Sequence, residues 1–169
     1  EKSAGFSRNE IIHKLVVTHL KKSVLEFEIS ENIKRLELHD SLIDLLEINS
    51  DSIVLTFDWA KLENYKEGNL DGLILGKCKL VLSGITKTAF EIITGGGTKI
   101  IEFPKDFQSR LEIIGENESK DDNHLRIGSL MNYDGKLAWT NWNLNFNKFS
   151  LYWNNHVTFE EWTNGTIAE

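Results

Sequence analysis

Within an otherwise apolar period, His39, Asp40 and Ser41 stand in a row. A histidine beside a carboxylate is the pairing that holds a metal ion or relays a proton. Neighbours on a strand point to opposite faces, so adjacency alone does not join the two side chains. Asp44 shares the parity of Asp40, and a hydrolase here would need His39, Asp40 and Asp44 to converge on one cleft. A nucleophilic Ser41 would also need its own base and an oxyanion site, neither of which the sequence marks. The commoner role of such a trio is a tight turn or strand start whose side chains bind local backbone. That is the reading adopted, and no catalytic residue is assigned.

The other histidines, His13, His19, His124 and His156, are scattered, and the single Cys78 cannot complete a thiolate set. His124 lies near Asp121 and Asp122, but the segment lacks the alternating acids and central glycine of a calcium loop. No metal and no cofactor is expected. Gly95, Gly96 and Gly97 fall between two strand patterns rather than ahead of a helix, so they read as a hairpin loop and not a phosphate cradle. Cys78 alternates with Lys77 and Lys79 and reads as a small buried hydrophobe.

Aromatic density is the remaining chemical signal. Trp139, Trp142, Tyr152, Trp153, Phe159 and Trp162 crowd the last quarter of the chain. Exposed, such rings stack on sugars or anchor a protein interface; buried, they are core. Alternation assigns Trp142 and Trp153 to a core face. Trp139, Tyr152 and Trp162 remain as binding candidates, with Asp121 and Asp122 of the acidic loop 116–122 beside them.

These residues must be positioned by strands. A capping box at Ser7-Arg8-Asn9-Glu10, followed by Ile11, Ile12, Leu15, Val16 and Leu20, predicts one helix over 8–22 after a frayed 1–7. From Val24 onward the period is that of β structure. Leu36, Leu38, Leu42, Leu46 and Ile48 share one parity, and Ile53, Leu55, Phe57 and Trp59 alternate after a turn at Ser50-Asp51. This predicts a hairpin pairing Ile48 with Ile53, Leu46 with Leu55 and Leu42 with Trp59. Asp44 then falls opposite Phe57, as an edge of the core, a bulge or a site. A second hairpin is predicted around Asn147-Lys148, pairing Phe146 with Phe149, Leu144 with Leu151 and Trp142 with Trp153. Further strands are expected near 73–82, 87–93, 98–103, 109–114, 124–130 and 136–142, with turns at 94–98 and at Asp134-Gly135. Residues 59–65 read as a short helix or an irregular crossover.

The chain of 169 residues is long enough to bury about 70% of its unfolded surface in one core. The expected fold is mainly β: an antiparallel sandwich or curved sheet in a single domain, with one N-terminal helix. With 19 basic against 26 acidic residues and a net charge of −7, no basic stripe exists to neutralise phosphates, so nucleic acid is not an expected partner. No apolar run approaches a membrane span. A lone cysteine and no apolar leader make the cytoplasm the expected location.

The segment Ile33-Lys34-Arg35-Leu36-Glu37-Leu38-His39-Asp40-Ser41-Leu42-Ile43, followed by Ser52-Ile53-Val54-Leu55-Thr56-Phe57, resembles a motif of small uncharacterised bacterial β-rich proteins. In them a His-Asp-Ser element opens a hairpin, and some resemble immunity proteins of toxin systems. The resemblance spans residues 33–59 and implies a non-catalytic, acidic, cytoplasmic protein that occludes a basic protein toxin. The leading expectation is therefore a protein-binding domain of immunity type. Two alternatives stand beside it, a carbohydrate- or small-ligand-binding sandwich and the hydrolase considered above.

Overall fold

The computed structural model describes residues 26–65, 72–102, 111–114, 119 and 121–168. The helix predicted over 8–22 and the frayed start lie outside these residues. The described chain is mainly β, in three antiparallel sheets.

The first sheet has the order β1 (Phe27–Ile29), β13 (Lys148–Trp153), β7 (Cys78–Ser83), β4 (Ser52–Phe57), β3 (Leu42–Ile48) and β10 (Leu111–Glu112). The second runs β14 (His156–Thr158), β6 (Leu73–Leu75), β5 (Ala60–Leu62) and β2 (Leu36–Glu37). Thus β13, β7, β4 and β3 meet β14, β6, β5 and β2 in the same order, each strand running on from its partner in sequence. The two are one four-stranded sheet folded along a corner, as strands do when they switch layers at bends. The breaks fall at 38–41, 58–59, 76–77 and 154–155. Residues there suit a bend. The Asp58 carboxylate accepts from the Leu42 and Trp59 backbone N–H groups at 2.7 and 2.9 Å, and the Gly76 N–H donates to the Asn155 carbonyl at 2.9 Å.

The third sheet runs β11 (His124–Tyr133), β12 (Lys136–Asn145), β8 (Lys87–Thr94) and β9 (Gly97–Ile101). Asp134 and Gly135 join β11 to β12 at φ 51° and 75°, the left-handed pair that a two-residue type I′ turn requires. Along one side, Ile113 pairs with Ser129 just beyond β10, linking this layer to the first sheet. The inward residues of all three sheets form a single core in which Trp142, Trp153, Phe57, Phe90 and Phe146 are at most 1% exposed. After β14 comes α1 (Phe159–Thr163), capped by Thr158 and Glu161 in a reciprocal box.

Three expectations need correction. Ile48 faces Ile53 and Leu46 faces Leu55 as predicted, but Ile43, not Asp44, lies opposite Phe57, because a bulge separates Ile43 from Leu45. The bulge shifts parity, so Ile43 is buried and Leu42 is not, and Leu42 has no partner in Trp59. The hairpin predicted around Asn147-Lys148 does not form: β12 pairs with β11 and β8, while β13 pairs with β1 and β7. Its face assignment survives, since Trp142, Leu144, Phe146, Phe149, Leu151 and Trp153 are all buried. Crossing between two facing sheets demands the same parity flip as a hairpin, because both inward faces look into one core. Lastly, 60–62 is the strand β5 rather than part of a short helix or an irregular crossover.

Candidate functional site

The sequence-predicted polar trio sits in the corner. The Ser41 N–H donates to the Leu38 carbonyl at 3.0 Å, and Asp40 takes φ 63°, so residues 38–41 make a tight turn with a left-handed third position. The turn is held by Ile113, whose carbonyl accepts from the Asp40 N–H at 2.7 Å and whose N–H donates to the Ser41 carbonyl at 3.0 Å. The Trp59 indole N–H donates to the Asp40 carbonyl at 3.2 Å. The turn also brings His39 Nδ1 within 3.1 Å of Asp40 Oδ2, with side chains 45% and 62% exposed.

Asp44 is engaged by a lysine. As the bulged residue it faces Lys77 Nζ at 3.4 Å and is 18% exposed. Ser41 is fully buried, and its Oγ has no hydrogen-bond partner among the described residues, which leaves it closed to a substrate. Cys78 is buried beside Asp58; burial first, then that charge, pushes its thiol up to about 12, far from nucleophilic use. Among the described residues no three His, Cys, Asp or Glu side chains group as metal ligands.

Of the acidic loop, Asp121 and Asp122 lie among the described residues; both are exposed, and each carboxylate is engaged. Asp122 Oδ1 accepts from the Ile33 N–H at 3.1 Å, pinning the short 3-10 turn Ile33–Arg35. Asp121 Oδ1 accepts from the Asn123 N–H at 2.9 Å. The three aromatic candidates part company. Tyr152 is half-buried on β13 between Glu28 and Lys79. Trp162 is exposed on α1 against Phe159. Trp139 is exposed on β12, facing away from the core on the layer opposite Tyr152.

The surface around Trp139 is the outward face of the β11-β12-β8-β9 sheet, and the register divides it in two. One half is apolar. Trp139 lies between Leu130 of β11 and Ile93 of β8, with Leu137 next along β12 at 73% exposure. The other half is polar. Asn141, Asn143 and Asn145 follow on the same parity, opposite Glu91, Ala89 and Lys87 on one side and Gly128, Arg126 and His124 on the other. With the Asn141 carboxamide turned to satisfy its neighbours, its oxygen accepts from Arg126 Nη2 at 2.9 Å.

The asparagine alternation is visible in the sequence, where it reads as the far face of a hairpin. Glu91, Lys87 and Arg126 come from strands whose pairing the sequence does not announce, and they were missed. No protein-family profile, curated protein sequence or solved structure matches this chain.

Proposed function

We propose that the chain is a non-enzymatic protein-binding domain whose contact surface is the apolar half of the outward β11-β12-β8-β9 face. The observation that carries this is Trp139, 39% exposed on a sheet face with the more exposed Leu137 beside it, inside a polar surround. Exposed apolar patches with polar rims are where proteins dock, and tryptophan is the commonest strong anchor. The net charge of −7 favours a basic partner by raising its association rate, and occlusion of a basic toxin is the form this would take in an immunity protein. The exposed His39–Asp40 pair needs no catalytic role, since the turn itself brings the two side chains together.

The test compares capture by the intact chain and by Trp139→Ala and Trp162→Ala variants in lysate of the source organism. A stoichiometric partner is expected to be lost about tenfold or more with Trp139→Ala, to be retained by Trp162→Ala, and to elute with rising salt. Equal capture by all three proteins would defeat the assignment of this face.

A further inference from the structure

We propose that the polar half of the same sheet face is a separate small-ligand site, a cleft for an uncharged mono- or disaccharide. A cavity of about 520 Å³ opens there, lined by Lys87, Ala89, Glu91, Asn143 and Asn145 together with Thr88, Ile100, Asp121 and His124. That volume lies in the range of small-molecule sites. Its floor is set by register: Ala89, with only a methyl group, lies opposite Asn143 and between Lys87 and Glu91 on β8. Side chains two apart on a strand are about 7 Å apart along one face, so the flanking Lys87 and Glu91 leave a depression over Ala89.

The chemistry of the walls selects the ligand. Each carboxamide offers both donors and an acceptor, as a sugar hydroxyl does, and Asn143 and Asn145 stand two apart on one strand and one face. No hydrogen bond within the described residues occupies either carboxamide. Lys87 and Glu91 add one ammonium donor and one carboxylate acceptor of opposite charge, so the β8 wall carries no net charge. Asp121 in the lining adds a negative charge and disfavours phosphate or carboxylate ligands. Ile100, 67% exposed, supplies an apolar wall for the C–H face of a sugar ring. A protein contact centred on Trp139 uses none of these groups.

The experiment titrates the intact chain with glucose, galactose, mannose, N-acetylglucosamine and their common disaccharides, followed by calorimetry and saturation-transfer NMR. At least one uncharged sugar is expected to bind. Asn143→Ala and Asn145→Ala should each weaken it tenfold or more, Ala89→Leu should abolish it by filling the floor, and Trp139→Ala should leave it unchanged. Thermal melts of each variant separate lost binding from lost folding, and all three cleft positions face outward from the core. Absence of binding across the panel, equal binding by the cleft variants, or preference for glycine or a sugar phosphate would overturn the proposal.

Discussion

Asp58 does more for this fold than its place at a strand end suggests. One carboxylate oxygen receives the backbone N–H groups of Leu42 and Trp59, so it joins the first residue of β3 to the bend after β4. Hydrogen bonds to a charged group contribute about 1.5–3 kcal/mol net, and removing the acceptor also leaves part-buried donors unmet. Asp58→Ala is expected to lower stability by about 2–3 kcal/mol, read from the midpoint shift in urea at unchanged slope. His39 and Asp40 show the same local logic with a different outcome. On a strand their side chains would diverge, but a left-handed Asp40 turns them to the same side. That contact could not be read from the alternation, because it depends on leaving the strand geometry from which the alternation is argued.

At the scale of elements, α1 illustrates how a five-residue helix is held. Glu161 accepts from the Thr158 N–H at 2.8 Å and from its hydroxyl at 2.9 Å, while the Thr158 oxygen accepts from the Glu161 N–H at 3.2 Å. The backbone bond first, then the hydroxyl and the nearby His156, holds the Glu161 carboxyl below its ordinary value of 4.5. A carboxylate depressed in the folded state contributes stability above its unfolded pKa and loses it as pH falls through the folded one. The amides of Thr158 and Glu161 should therefore lose exchange protection between about pH 4.5 and the lower folded value. Glutamine serves the same capping geometry without titrating, so Glu161→Gln is expected to remove the pH dependence; an unchanged acid transition would contradict the assignment. The helix was missed because five residues carry too short a period to stand out. The strands were legible for the opposite reason, since alternation over six to ten residues fixes a face. Alternation carries no address for the partner, which is why 142–146 and 149–153 acquired the right faces and the wrong neighbours. The candidate cleft was half legible on the same ground: β12 shows its asparagines in sequence, and β8 contributes Lys87, Ala89 and Glu91 only through pairing.

The whole molecule has one core across its described residues, fed by three sheets. Trp142 belongs to the β11-β12-β8-β9 layer and Trp153 to the first sheet, and both are at most 1% exposed. If the layers share one core, they should melt together. Emission from Trp142 and from Trp153, each isolated by subtracting the spectrum of a Trp→Phe variant in urea titrations, is expected to give coincident midpoints. Two separated transitions would show that the layers fold independently.

The folded corner also sets where the chain can vary in length. Three of its four crossings use two residues, 58–59, 76–77 and 154–155, whereas the crossing from β2 to β3 uses four, 38–41. An extra residue in a two-residue crossing would slide one arm of a strand against neighbours in its own sheet, turning every side chain of that arm to the wrong face. The longer crossing lies at the outer end of the second sheet, where β2 has the single described neighbour β5, and its slack is already taken up by a turn. A single glycine added at 58–59, 76–77 or 154–155 is therefore expected to cost more stability than one added beside His39, whose side chain is 45% exposed, as midpoints in urea would show.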